Sequence, residues 1–237
     1  MATMLVYILT DVEVERATLD KMLREAVNKP TSFNSMSVDS DESTSDTVVA
    51  ISSNMVPCPS EDELGDAISK VCAELSDDVV RNGEGTNHVL EVAVTGGPSD
   101  VVARELGRTV VNSPLVKCAV AGNDPNVGRI VAAAGKFIGE LDVNTSTKDK
   151  IAERLVIRMG GRRIFEAGQF RLSSSSETEL IAHMKAAELG DDGQAAFPAH
   201  KRKVEVEIDL GAGEGKAVVL GSDLTHEYVS INADYRS

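Results

Sequence analysis

The sequence is poor in the residues from which several kinds of functional site are built. Basic side chains are outnumbered, 24 Lys and Arg against 38 Asp and Glu, for a formal charge of -14. Sequence-independent binding to nucleic acid or to an anionic membrane needs a basic surface, which argues against both. No apolar run approaches the ~18 residues of a membrane span. The three cysteines (Cys58, Cys72, Cys118) are odd in number and widely spaced, with no CxxC or Cys/His ligand pattern. They read as buried or half-buried thiols of a reducing compartment. His88, His183, His200 and His226 are equally scattered, which argues against zinc. Neither GxxxxGK nor GxGxxG after a strand is present. No metal and no cofactor is expected. No basic-then-apolar leader precedes the first core strand, and such an abrupt opening suggests that another segment normally comes before it.

What is present suffices for a core. Hydrophobic residues make up 42% of 237, a length that suits one large or two smaller domains. Met4 to Leu9 is a short apolar run that predicts a buried strand, and on composition alone Thr3 is an ordinary residue at its start. Leu19, Met22, Leu23 and Ala26 recur at helical spacing, predicting a helix over 15–28 that Pro30 closes. A short strand at 35–39 leads into the polar run 39–46. Counted from Asp39, that run has Thr44 and Ala50 where a calcium loop needs glycine and glutamate, so it is a hydroxyl-rich turn before a strand at 47–52. Ser60 and Glu63 form a capping box for a helix running to about Asn82, with Leu64, Ile68, Val71, Leu75 and Val79 as its apolar stripe. Gly83-Glu84-Gly85 ends it, glycine being usual just past a helix C-terminus. A carboxylate pinned between two glycines is more often a solvated turn residue than a site.

Further on, the pattern predicts a strand at 89–95, a helix at 99–111, a strand at Leu115–Ala121 after Pro114, and a helix at 127–137 capped by Asn126. Composition turns polar and small near 137–147, which places a boundary between a first domain at 1–140 and a second at 141–237. The second reads as a β-β-α-β-β unit. It has a hairpin around Gly160-Gly161, a helix at 177–188, and strands at 203–210 and 216–220 joined across Gly211-Ala212-Gly213-Glu214-Gly215, whose GxGxG spacing suggests a hairpin turn. Lys148, Lys150, Arg154, Arg158, Arg162, Arg163 and Lys201–Lys203 are most simply a solvated face, a phosphate-bearing coenzyme being the alternative. In the tail, Asp223 can cap a helix whose Leu224, Tyr228 and Ile231 share a face, and such a tail is expected to dock.

Five ordered blocks then point one way. MATMLVYILTD at the start, the acidic Ser/Thr-rich stretch at 39–47, GEG at 83–85, VNSPLVKCAVAGNDPNVGR at 111–129 and GSDLTHEYVSINADYRS at the end resemble the β-chain of the ornithine acetyltransferase/glutamate N-acetyltransferase family. The resemblance runs the length of the chain. One departure is Val127, where the family commonly has tryptophan; this chain has no tryptophan at all.

The resemblance implies an α/β (α+β) protein: one portion of a layered αββα sandwich plus a small β-grasp-like C-terminal domain. It implies autocleavage between Ala2 and Thr3, with Thr3 as the N-terminal nucleophile, and substrate-binding positions at Thr3, Glu84, Asn232 and Ser237. The chemistry agrees, since a free α-amine on the same residue can activate a hydroxyl, and with a pKa near ~8 it is partly neutral at working pH. The implied reaction moves acetyl from N-acetylornithine to glutamate through acetyl-Thr3, and some members also accept acetyl-CoA. The expected partner is the α-chain of the same precursor, in a heterodimer or heterotetramer, with the oxyanion hole and a substrate-binding lysine on that chain. The expected compartment is the cytoplasm, or the mitochondrial matrix if a eukaryotic precursor carried a transit segment. The alternatives are an aminopeptidase-type hydrolase and an inactive β-chain fragment with only an assembly role.

Overall fold

The computed structural model describes residues 3–190 and 200–234 as a layered, mixed α/β structure. The chain begins with β1 (Leu5–Val12), α1 (Arg16–Val27), a 3-10 turn (Phe33–Ser35), β2 (Met36–Ser37), β3 (Thr47–Val56) and α2 (Glu61–Arg81). β1 and β3 pair in parallel as a two-stranded sheet, Leu5 opposite Thr47 and Leu9 opposite Ile51. One face of this sheet packs on helices. Val6 and Ile8 are buried with Leu19 and Ala26 of α1 and with Ile68 and Cys72 of α2. Strand alternation sends the intervening residues to the other face, where Leu5, Tyr7 and Leu9 are 56%, 62% and 73% exposed and Ile51 is 49% exposed. The run expected to be buried is therefore covered on one side only, because its two helices lie on the same side.

The second half of the fold is a seven-stranded sheet. Its elements are β4 (Val89–Gly97), α3 (Asp100–Val111), α4 (Pro114–Ala121), α5 (Val127–Glu140), α6 (Thr145–Arg154), β5 (Val156–Met159), β6 (Arg162–Glu166), β7 (Gln169–Phe170), α7 (Ser174–Ala187), β8 (Val204–Asp209), β9 (Gly215–Ser222) and α8 (His226–Ala233). The strand order is β2-β9-β4-β8-β5-β6-β7. β4, from before residue 140, lies between β8 and β9, parallel to the first and antiparallel to the second. Strands on either side of residue 140 thus share one sheet and one core, in which Leu90, Val92 and Val94 of β4 meet Leu106 of α3, Ile157 of β5 and Ile208 of β8.

That order corrects the reading of the glycine-rich turn. It is not a hairpin: it carries the chain over the end of β4 to the far side. The loop hugs the β4 backbone as it crosses, with Leu210 N donating to Thr95 O at 2.9 Å and Ala212 N to Gly96 O at 2.7 Å. Gly211 has a φ of 57°, and a Cβ on Gly215 would sit 2.3 Å from the Ser99 carbonyl carbon. Glycine is needed here for close approach of two backbones.

Other expectations also change. Leu115–Ala121 is helical. A short apolar run suits either state, and here the start signals decide: Ser113 caps the helix by accepting from Val116 N, with Pro114 in its first turn. Asn126 does not cap α5, because its side-chain amide donates to Asp124 Oδ2 instead. Ser60 accepts from Glu63 N as expected, yet Val71 of the predicted stripe is 38% exposed. Cys118 is exposed rather than buried. Several basic residues of the second half are engaged: Arg162 pairs with Glu179, Arg163 with Glu166, Arg158 with Glu207, and Lys203 with Asp77 and Glu91. No described helix is long and apolar enough to cross a membrane.

The crossover generates a prediction. Gly215→Ala forces the loop off Ser99 and should lower stability by about 1–3 kcal/mol. In thermal unfolding that is a fall of roughly 2–4 °C per kcal/mol for a chain of this size. An unchanged midpoint would contradict the close-approach account.

Candidate active site

Thr3 is exposed and stands just before β1. The chain is pinned one residue later. Met4 N donates to Asp46 Oδ1 at 2.9 Å, and Met4 O accepts from Thr47 N at 2.9 Å. Asp46 Oδ2 accepts from Ser43 N at 3.1 Å, and Ser43 Oγ lies 3.5 Å from Thr3 Oγ1. The polar run 39–46 is therefore the wall of the Thr3 site.

Glu84 arrives from the other half of the fold. After α2 ends, Gly83 N donates to Val80 O and Thr86 N to Gly83 O, forming a tight turn with Gly85 at a φ of 63°. A Cβ on Gly85 would be 2.4 Å from Tyr228 N, so the turn lies flat against α8. Thr225, the N-cap of α8, locks the pair: its hydroxyl donates to Gly85 O at 2.6 Å and accepts from Tyr228 N at 3.1 Å. Asp223, expected as the cap, instead lies buried with His88. Asn232, one turn beyond Tyr228, donates through Nδ2 to Glu84 Oε2 at 2.8 Å.

Thr3 and Glu84 line one open-sided cavity of about 810 Å³, together with Asp39, Asp46, Arg108 and Tyr228. Three sequence-flagged residues are thereby brought together, Thr3 and Glu84 through the cavity and Asn232 through its bond to Glu84. Ala2 and Ser237 lie outside the described residues. The wall is acidic, with Asp39, Asp41, Glu42, Asp46 and Glu84 all on it. Its Arg108 pairs with Glu42 at 2.5 Å. Such a wall suits a cationic amine and presents a hydroxyl beside it. Among the described residues no group of three or more His, Cys, Asp or Glu is arranged to hold a metal.

Sequence reasoning missed the supports. Lys117 is 3% exposed, and its Nζ donates to Val38 O at 2.6 Å and Ser222 O at 2.5 Å, joining the chain after β2 to the end of β9. A lysine in the apolar run LVKCAVA was the visible signal. His88 is fully buried between Asp223 Oδ2, 2.8 Å from Nδ1, and Asn123 Oδ1, 3.2 Å from Nε2, while Asp223 Oδ1 accepts from Asn87 N at 3.0 Å. This cluster seats the chain entering α8, and its sequence separation left no signal. Val127, where the resemblance leads one to expect tryptophan, is 4% exposed within the main core.

Layered helices and sheets, with a hydroxyl and a carboxylate meeting in one acidic cleft, define a mixed α/β protein with an enzyme-like pocket. The ArgJ family profile matches residues 1–237, and the chain belongs to that family. Similar curated proteins include the arginine biosynthesis bifunctional protein ArgJ of Zymomonas mobilis, 39% identical over 247 residues covering 100% of this chain and 53% of that protein. The counterpart in Ruegeria pomeroyi is 40% identical over 239 residues, covering 100% and 52%. The chain thus spans about half the length of the curated relatives it matches. A crystal structure of the protein of that name from Bacillus halodurans superposes with a TM-score of 0.80 at 30% identity, covering 98% of this chain and 100% of that one.

Burial lowers the Lys117 ammonium from 10.5 to about 8, against the pull of Asp223 and Asp39. Between those values the unfolded chain binds the proton more tightly, so this residue's contribution to stability rises as pH rises from about 8 to 10.5. In urea titrations the stability of wild type relative to Lys117→Met should therefore grow across that window. A difference that stays flat would contradict a buried titrating lysine.

Proposed function

We propose that this chain is the β-chain of an acetyltransferase that carries acetyl from N-acetylornithine to glutamate through an ester on Thr3. The observation that carries the reading is the meeting of Thr3 and Glu84 in one cavity, with Asn232 bonded to Glu84. Cleavage between Ala2 and Thr3 frees the Thr3 α-amine. That amine takes the proton from Oγ as Oγ attacks the acetyl carbonyl, and the tetrahedral adduct collapses with rupture of the C–N bond. The departing ornithine amine takes the proton. The α-amine of glutamate then attacks the ester, gains the acetyl group and returns Thr3 to its hydroxyl form. Glu84, steered by Asn232, receives the side-chain ammonium of N-acetylornithine, and Ser237 contributes a further polar contact. The same ester can be formed from acetyl-CoA, with a thiol leaving in place of the amine.

The oxyanion of each adduct needs hydrogen-bond donors, and these come from an α-chain. One such donor is worth ~10²–10³ in rate, so the isolated chain is close to inert. The open face of the β1–β3 sheet supports a partner of this kind. Parallel sheets are ordinarily covered on both faces, and Leu5, Tyr7, Leu9 and Ile51 form an uncovered apolar row. A second helix-sheet pair laid on this row completes the αββα sandwich. The family's half-length correspondence and a solved chain of matching extent agree with a two-chain enzyme. A soluble cytoplasmic setting fits the reading.

Two experiments test it, both with the upstream segment co-expressed. Wild type should acetylate glutamate from N-acetylornithine, and Thr3→Ala should lose this activity by at least ~10³-fold, as expected when a covalent nucleophile is removed. Activity surviving in Thr3→Ala overturns the nucleophile, and acyl transfer to water alone indicates a hydrolase. Separately, Leu9→Lys should abolish co-purification of the upstream segment while leaving the β-chain's own Tm nearly unchanged, since Leu9 is exposed in this chain. Retained co-purification would rule out this face as the seat of the partner.

A further inference from the structure

We propose that Tyr228 is a positioning residue: through its hydroxyl bond to Asp39 it fastens the 39–46 loop, and with it the Thr3 end of β1, at a fixed distance from Glu84. This rests on the acetyl-transfer reading above for its consequence in catalysis, and on hydrogen-bond geometry for the latch itself.

The two sides of the cavity belong to different sheets. Thr3 precedes a strand of the two-stranded sheet, whereas Glu84 leads into β4 of the seven-stranded one. The loop at 39–46 runs from one to the other, leaving β2 at the edge of the larger sheet and entering β3 in the smaller. It carries its own chain of bonds. At its start Asp39 uses both carboxylate oxygens, Oδ1 accepting from Asp41 N at 3.1 Å and Oδ2 from Tyr228 OH at 3.1 Å. At its end Asp46 does the same, Oδ2 accepting from Ser43 N and Oδ1 from Met4 N. Only the backbone from Asp41 to Ser43 separates these two sets of bonds, so the path from Tyr228 to the residue beside Thr3 runs through hydrogen bonds at both ends and the covalent chain between them.

Tyr228 is the point where this path meets the other side of the cavity. Its backbone N lies against Gly85, its carbonyl accepts from Asn232 Nδ2 at 3.0 Å, and Asn232 also holds Glu84. One residue therefore touches both the loop that walls Thr3 and the turn that presents Glu84. Among the described residues the far end of the loop is tied to β1 through Asp46 and Met4, and Val38, just before the loop, is held by Lys117. Between them the only side-chain ion pair among the described residues is Arg108–Glu42, whose Glu42 is 76% exposed, so the phenol bond is the main anchor of the Asp39 side. Burial, reinforced by the Asp39 carboxylate, pushes the phenol up to about 12, so it stays a hydrogen-bond donor throughout the working range.

The test uses the complete two-chain protein with Tyr228→Phe, Asp39→Asn and the double variant. The amide introduced by Asp39→Asn offers one acceptor oxygen where the carboxylate offers two. In Tyr228→Phe, amide exchange of Met4 and of residues 41–47 should rise about tenfold, the scale of one lost hydrogen bond, while α2 and β4 keep their protection. The kcat of acetyl transfer should fall about tenfold with KM changed less than about twofold, as expected when geometry rather than binding is lost. The double variant should be no slower than the slower single variant. Unchanged loop exchange in Tyr228→Phe overturns the latch and leaves the functional reading standing. Losses that multiply in the double variant overturn the shared role. Wild-type protein that transfers no acetyl group overturns the functional reading, and the positioning role with it.

Discussion

The Thr225 hydroxyl holds the last helix against the turn between α2 and β4. It donates to the Gly85 carbonyl and accepts from Tyr228 N, so the N-cap of the last helix is also the clamp on the turn that carries Glu84. A hydroxyl can do both at once, which an aspartate cap cannot, because a carboxylate has no proton to give. This contact sets where α8 starts beside the turn, and the Tyr228–Asp39 and Asn232–Glu84 bonds then fix the side chains that reach the cleft. Beneath it, Lys117 draws the Val38 and Ser222 carbonyls together, and the His88–Asp223 pair seats the chain entering α8. These buried polar groups have named partners, as burial of such groups demands.

The same structure is unfinished elsewhere. A parallel pair of strands with helices on one side leaves an apolar row on the other, and this row lies on the sheet whose first strand follows Thr3. The proposed α-chain would close the core and bring oxyanion donors to the nucleophile from the same direction. Stability and catalysis would then be completed in one docking event. On the proposed reading, a chain with a well-formed principal core would then hold one part of a site that the partner completes.

Local signals carried much of the fold. The capping at Ser60, the glycines after α2, the hairpin at Gly160-Gly161 and the alternation of Val204–Asp209 all predicted their elements, because each depends on neighbours within a few residues. Leu115–Ala121 was misread because a short apolar run fits strand or helix equally, and only the Ser-Pro start decides. The crossover at Gly211–Gly215 was misread because the strand inserted between β8 and β9 comes from far upstream, where local spacing has no reach. Of the candidate site, the motif blocks single out Thr3, Glu84 and Asn232, which the fold brings to one cavity and its edge. Asp39, Tyr228, Lys117 and the His88–Asp223 pair were not singled out, since each acts across most of the chain and its partner is fixed only by topology.

The most direct test of the account is the mass of the N-terminal peptide of this chain, isolated from the two-chain protein after brief exposure to N-acetylornithine without glutamate. The account predicts a peptide beginning at Thr3 with one acetyl group in ester linkage on the Thr3 hydroxyl, removed on addition of glutamate. A peptide still carrying Met1-Ala2, or one beginning at Thr3 with no acetyl group under turnover conditions, would contradict it.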